Sequence, residues 1–153
     1  MTDPVWAPTL VQVAGYIPAR TVAVATVSDG LLGTFGATTR PTGTQVTQLI
    51  TDACAWVLLR TGTIVTTGPL ADALATFATA TAAVRTAGMV ELSYPIRNAE
   101  VNTADQLLKQ ADAMLTELVT ANASAGAADG SPPTLLPTGA FPDPVAWGDD
   151  LLI

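Results

Sequence analysis

The sequence predicts a mainly α fold: a four-helix bundle with a β-hairpin-like loop near residues 21–40 and an extended, Pro-rich C-terminal tail. Three observations lead there. Apolar residues recur at helical spacing in four separate stretches. Two of those stretches open with the same start signal, Thr9-Leu-Val-Gln12 and Thr42-Gly-Thr-Gln45. In such a box the Thr oxygen accepts the N–H three residues on and the Gln side chain reaches back, so two otherwise unpaired donors are satisfied. Finally, five of the 11 prolines fall in the last 22 residues, where no core-forming period survives.

Residues 1–8 read as a short arm holding Pro4, Trp6 and Pro8. The helical domain is expected over residues 9–121 and the tail over 122–153. The first helix covers roughly residues 10–17, with Leu10, Val13, Ala14 and Ile17 on one face, and Pro18 ends or kinks it. Residues 21–27 alternate as Thr-Val-Ala-Val-Ala-Thr-Val. A Ser28-Asp29-Gly30 turn signal and Leu31-Leu-Gly-Thr-Phe35 follow, a pattern open to either a hairpin or an irregular loop. The second helix is expected over residues 43–59, with Val46, Leu49, Ile50, Ala53 and Val57 inward and Trp56 at the border. Gly62 breaks it. The third starts at Gly68-Pro69, with Pro at the first helical position, and carries Leu70, Leu74, Phe77, Thr81, Val84 and Gly88 as one stripe. The fourth spans residues 103–121 and has the cleanest stripe: Ala104, Leu107, Leu108, Ala111, Leu115 and Leu118.

Composition limits the chemistry. The chain has 153 residues, no His, one Cys, one Lys (Lys109) and a formal charge of −7 from 13 acids against 6 Lys+Arg. Imidazole-based nucleophilic devices are excluded. So are a Cys/His zinc site, an internal disulfide and a Walker P-loop. No cofactor, metal or catalytic residue is expected. The five arginines are scattered, which gives no patch for phosphate binding. Residues 69–90 are the least polar stretch. With Asp72, Arg85 and mostly Ala and Thr, they read as a packed helix and not as a membrane span. Asn122-Ala-Ser124 fits a glycosylation pattern and is read as chance. Cys54 reads as a small core residue, and Glu91, Glu100, Asp149 and Asp150 as solvated acids.

Large apolar residues are scarce, since Ala (27) and Thr (24) make up a third of the chain. A lone subunit of this kind buries little apolar area per residue, which points to a part of an assembly. A genome rich in G and C accounts for the same bias. Candidate partner contacts are Trp6 in the arm, Leu31 and Phe35 in the 21–40 loop, and Phe141, Trp147, Leu151, Leu152 and Ile153 in the tail. A solvated tail has no need of these last five, although an unattached end is the alternative.

The order of motifs resembles a known family. Pro8-Thr9 precedes a short amphipathic helix. Ala19-Arg20-Thr21, then Gly33-Thr34-Phe35, then Thr39-Arg40-Pro41-Thr42 follow, and a helix with Val46, Leu49, Ile50 and Ala53 completes the pattern. Over roughly residues 8–120 this resembles the head-to-tail connector, or adaptor, proteins of tailed bacteriophages, especially those infecting actinobacteria. The resemblance implies a four-helix connector-type subunit of a homo-oligomeric ring, commonly of twelve copies. Such a ring sits between the portal protein and a stopper or tail-terminator protein. It lines the channel through which DNA passes without specific binding, and it implies a virion protein, assembled in the host cytoplasm, with no enzymatic role. The other readings are a different neck component, such as a stopper or tail-completion protein, and a small acidic helical binding module of a bacterial host.

Overall fold

The computed structural model describes residues 3–23, 33–94 and 102–128. Within them the chain is mainly helical, with four α-helices: α1 (Leu10–Ala14), α2 (Gly43–Thr61), α3 (Ala71–Ser93) and α4 (Asn102–Ala128). A 3₁₀ turn occupies Pro18–Arg20. Two short strands, β1 (Val22–Ala23) and β2 (Gly33–Thr34), pair antiparallel with Val22 opposite Thr34. That pairing is the base of the expected hairpin; its tip, with Leu31, lies outside the described residues.

Both start signals form. Thr9 N–H donates to Gln12 Oε1 at 2.7 Å, and Gln12 N–H donates to the Thr9 hydroxyl at 3.3 Å. A reciprocal box also opens α2, where Thr42 N–H donates to Gln45 Oε1 at 2.9 Å. The expected first helix is too long by three residues. It stops at Ala14, and Tyr16 N–H and Ile17 N–H bond three residues back to Val13 and Ala14. Pro18 lacks the donor needed to continue the ladder, and instead begins the 3₁₀ turn. α2 ends as expected, with Gly62 at φ 68°, a conformation that L side chains rarely adopt.

The third helix departs more from expectation. Leu70, not Gly68, caps α3, and Pro69 lies before the helix. Leu70 consequently faces outward, 51% exposed. Nor is α3 buried along a single stripe: from Thr81 to Val90 every residue except Arg85 and Met89 is buried. The cause is position. α3 packs against α2 on one side and, most extensively, α4 on the other. By length and composition α3 is apolar enough to cross a membrane, and 56% of its most apolar window is buried inside the protein.

Small residues allow the close approach. A β-carbon at Gly88 would lie 2.8 Å from Leu108 Cδ2 and 2.9 Å from its Cγ. The buried threonines of α3 carry no unpaired hydroxyl, because each bonds a carbonyl one turn back: Thr81 to Phe77 at 2.7 Å and Thr86 to Ala82 at 2.8 Å. Threonine is therefore a core residue here as well as a surface one.

α4 runs to Ala128, seven residues past the expected end. Residues 122–128 are expected in the tail. They keep the helical period instead, with Asn122 and Ala125 buried. Asn122 ties α4 to the α2–α3 connector. Its Oδ1 accepts Val65 N–H at 2.9 Å, and its Nδ2 donates to Thr63 O at 3.0 Å and to Thr61 O at 3.4 Å.

Candidate functional site

Among the described residues Cys54 is buried, and Arg20, Arg85 and Lys109 each face an acid, while Arg40 and Arg60 are exposed. Cys54 lies in the core, and burial, with a smaller push from the Asp3 carboxylate, raises its thiol to about 11. Neutral thiol is therefore its form at ordinary pH, a poor nucleophile. Among the described residues no three His, Cys, Asp or Glu side chains group in a way that could hold a metal. Lys109 pairs with Asp105 one turn back at 2.7 Å, on the exposed face of α4. That hydrogen bond and charge raise the Lys109 pKa.

Glu91 is not the solvated acid expected. Arg20 Nε donates to its Oε1 at 2.9 Å and Arg20 Nη2 to its Oε2 at 2.6 Å, with side chains only 7% and 12% exposed. This two-point clamp fixes the 3₁₀ turn, and with it the root of the hairpin, on the C-terminal end of α3. Glu100, Asp149 and Asp150, the other acids expected to be solvated, lie outside the described residues. Arg85 spans three helices. Its guanidinium sits 4.4 Å from the ring centre of Trp56 on α2, and its Nη1 is 3.6 Å from Asp112 Oδ1 on α4.

The motif Thr39-Arg40-Pro41-Thr42 is a built corner. The Thr39 hydroxyl accepts Gly36 N–H at 3.0 Å and donates to Pro41 O at 2.7 Å, while Gly43 N–H closes on Gly36 O at 3.1 Å. The Arg40–Pro41 peptide is cis and Pro41 is fully buried. The corner turns the chain from β2 directly into the α2 capping box.

Of the predicted contact residues, Trp6 and Phe35 lie among the described ones. Phe35 is 4% exposed and belongs to the core, so in the single chain it is a packing residue and offers no free ring. Its position just before the corner explains this: the backbone of residues 35–36 lies against the first turn of α2. Trp6 packs partly buried against the core, and the arm is pinned where Thr79 donates to Trp6 O at 2.6 Å and Thr51 to Asp3 Oδ1 at 2.9 Å. Leu31, Phe141, Trp147, Leu151, Leu152 and Ile153 lie outside the described residues.

The exposed large apolar side chains are others. Leu59, 72% exposed, and Leu70 flank the α2–α3 connector at one end of the bundle. Tyr16, Val22 and Leu92 cluster in sequence around the Arg20–Glu91 clamp at the opposite end, and Val5 stands out from the arm. Leu59 was detectable, since a large apolar residue two places past Val57 is off the inward stripe. Leu70 was masked by placing Pro69 inside the helix.

Comparison with protein-family models, with characterised proteins and with solved structures finds no match to this chain.

Proposed function

We propose that this chain is a structural subunit of the neck of a tailed bacteriophage, a head-to-tail adaptor that assembles as a ring between the portal protein and the stopper or tail-terminator protein. The observation that carries the reading is the corner at Thr39–Thr42. In the motif with the most weight in the resemblance, the Thr39 hydroxyl and the Thr42–Gln45 box both hold the chain at its turn into α2. In this reading the three long helices, packed closely at Gly88, are the repeating unit of the ring. A unit repeated around an axis closes into a ring through heterologous contacts at the right rotation. The apolar residues at opposite ends of the bundle are unlike each other, which suits head-to-tail contact. A charge of −7 keeps the subunit soluble before assembly and favours a channel wall from which DNA phosphates are repelled.

In this reading residues 140–153 grip the portal or an adjacent ring, and residues 21–40 contact the tail side or the lumen. The test is mass measurement of the purified chain with and without a portal protein. A complex with many copies per portal ring is expected. Removal of residues 140–153 is expected to leave helix content unchanged and abolish portal binding. A chain that remains a lone particle with the portal present refutes the adaptor reading.

A further inference from the structure

We propose that residues 3–7 are a strap that releases from the seam between α2 and α3 as a unit, while the helices stay folded, and that its release bares the Cys54 thiol. The inference concerns the isolated chain and does not rest on the neck reading.

The strap is held at two polar points, one on each helix. The Thr51 hydroxyl of α2 donates to Asp3 Oδ1 at 2.9 Å, and the Thr79 hydroxyl of α3 donates to the Trp6 carbonyl at 2.6 Å. Between these points the strap turns on itself, where Ala7 N–H donates to Pro4 O at 2.8 Å. Trp6 and Ala7 pack half-buried on the core, while Asp3 and Val5 face water. From the next residues on the chain is fixed: Pro8 is buried, and Thr9 caps α1 through its box with Gln12. The part that can swing is therefore short, with its pivot at Pro8.

Both anchors come apart without leaving a helix hydroxyl unpaired. Each has a second acceptor one turn back in its own helix, Thr47 O at 3.2 Å for Thr51 and Ala75 O at 2.9 Å for Thr79. A hydroxyl has one proton to donate, so it serves either the strap or its own helix, and is satisfied in both states. The freed Asp3 carboxylate and Trp6 carbonyl meet water, and the Pro4–Ala7 bond travels with the strap. Release consequently escapes the penalty of an unmade hydrogen bond, and what opposes it is the half-buried packing of Trp6 and Ala7.

Cys54 is what release uncovers. It is 2% exposed and stands three residues on from Thr51, next to the Asp3 anchor on the same side of α2. The Asp3 carboxylate is near enough to add to the burial that raises its thiol. The surface of α2 and α3 thus changes with the strap while the bundle persists.

The test is reaction of Cys54, the one cysteine of the chain, with an aromatic disulfide reagent, with urea unfolding and hydrogen exchange on the same full-length samples. Labelling is expected to outrun what global unfolding permits. Its rate should be nearly flat in urea below the unfolding transition, because so short a strap exposes little surface, and amides of residues 50–57 should stay protected meanwhile. Trp6→Ala should speed labelling about tenfold and Thr79→Val about threefold. Thr76→Val, whose hydroxyl bonds only Asp72 O, should leave the rate unchanged. Asn122→Ala, which lowers global stability through the α2–α3 connector, should leave it unchanged as well. Labelling that follows global unfolding, with the same urea slope and a faster rate in Asn122→Ala, overturns the proposal. So does labelling that neither Trp6→Ala nor Thr79→Val speeds.

Discussion

Replacing Asn122 tests whether one side chain holds the connector to α4. Asn122 is 7% exposed and uses both ends of its amide. Asn122→Ala removes one accepted bond, at 2.9 Å, and two donated bonds, at 3.0 and 3.4 Å. At about 1 kcal/mol net per hydrogen bond, and less for the long one, the loss is about 2 kcal/mol. The Val65 N–H left behind adds to that, and water reaching the exposed Thr63 carbonyl subtracts. For a domain of this size the loss lowers Tm by roughly 4–8 °C. The assay is urea and thermal unfolding followed by circular dichroism at 222 nm. Thr120→Ala, which removes an exposed hydroxyl bonded only to its own helix, serves as the control and should change stability by less than about 0.5 kcal/mol. Asn122→Asp sharpens the test. The introduced carboxylate keeps the bond from Val65 N–H and turns negative charge on two carbonyls, so its folded pKa rises above the unfolded value of about 3.9. A group with a raised folded pKa stabilises the fold only while protonated. The deficit of this variant relative to the parent chain is therefore full at pH 7 and shrinks as pH falls through the folded pKa to below about 4. An Asn122→Ala variant as stable as the Thr120→Ala control, or an Asp variant whose deficit does not change with pH, refutes the reasoning.

Other perturbations probe the packing. Gly88→Ala gains about 1 kcal/mol of helix preference but drives a methyl to 2.8 Å from Leu108, for a net destabilisation of about 1–2 kcal/mol in urea titrations. Leu108→Ala in the same chain should recover part of it. Removing one partner of the Arg20–Glu91 clamp, by Arg20→Met or Glu91→Gln, is expected to cost about 3 kcal/mol. A double-mutant cycle should show coupling, and amides of Thr21 and Val22 should exchange faster. Raising Cys54 from 9.0 to about 11 contributes stability that is complete below the unfolded pKa and is lost as pH rises through the folded one. The parent chain should therefore lose up to about 2 kcal/mol more than Cys54→Ala between pH 9 and 11, and its thiol should react with a disulfide reagent only on opening.

Local signals were legible where the chemistry is local. The two Thr-x-x-Gln boxes, the stop at Gly62 and the buried Cys54 each depend on residues within one turn of helix or on a single stripe. What failed depends on the third dimension. Glu91 looks solvated in the sequence because no basic residue stands three or four places from it; Arg20, 71 residues earlier, completes the pair. α3 looked one-sided because periodicity reports the face a helix buries only when the other faces meet water, and here α4 covers a second face. The run Asn122–Ala128 looked like a linker because small polar residues are common in linkers, yet the same residues fit a tight contact with the connector. The partner contacts divide likewise. Phe35 and Trp6 were chosen for size, and size is also what a core of alanines lacks most.

That shortage explains how the molecule distributes its apolar material. A core rich in Ala, Val and Thr, with a smaller number of Ile and Leu, reaches density largely by bringing helix backbones close, as at Gly88. Close backbones leave little interior volume, so further large residues have no place inside. Leu59, Leu70, Leu92 and Tyr16 accordingly stand outside, at the ends of the bundle, where helix sides no longer cover them. In an ordinary monomer such residues are replaceable by polar ones at little cost to folding. Polar replacement at Leu59, Leu70 and Leu92 should therefore leave the unfolding midpoint of the isolated chain within about 1 °C and change what the chain associates with. If the same replacements unfold the chain, these residues belong to a core that the subunit already completes by itself.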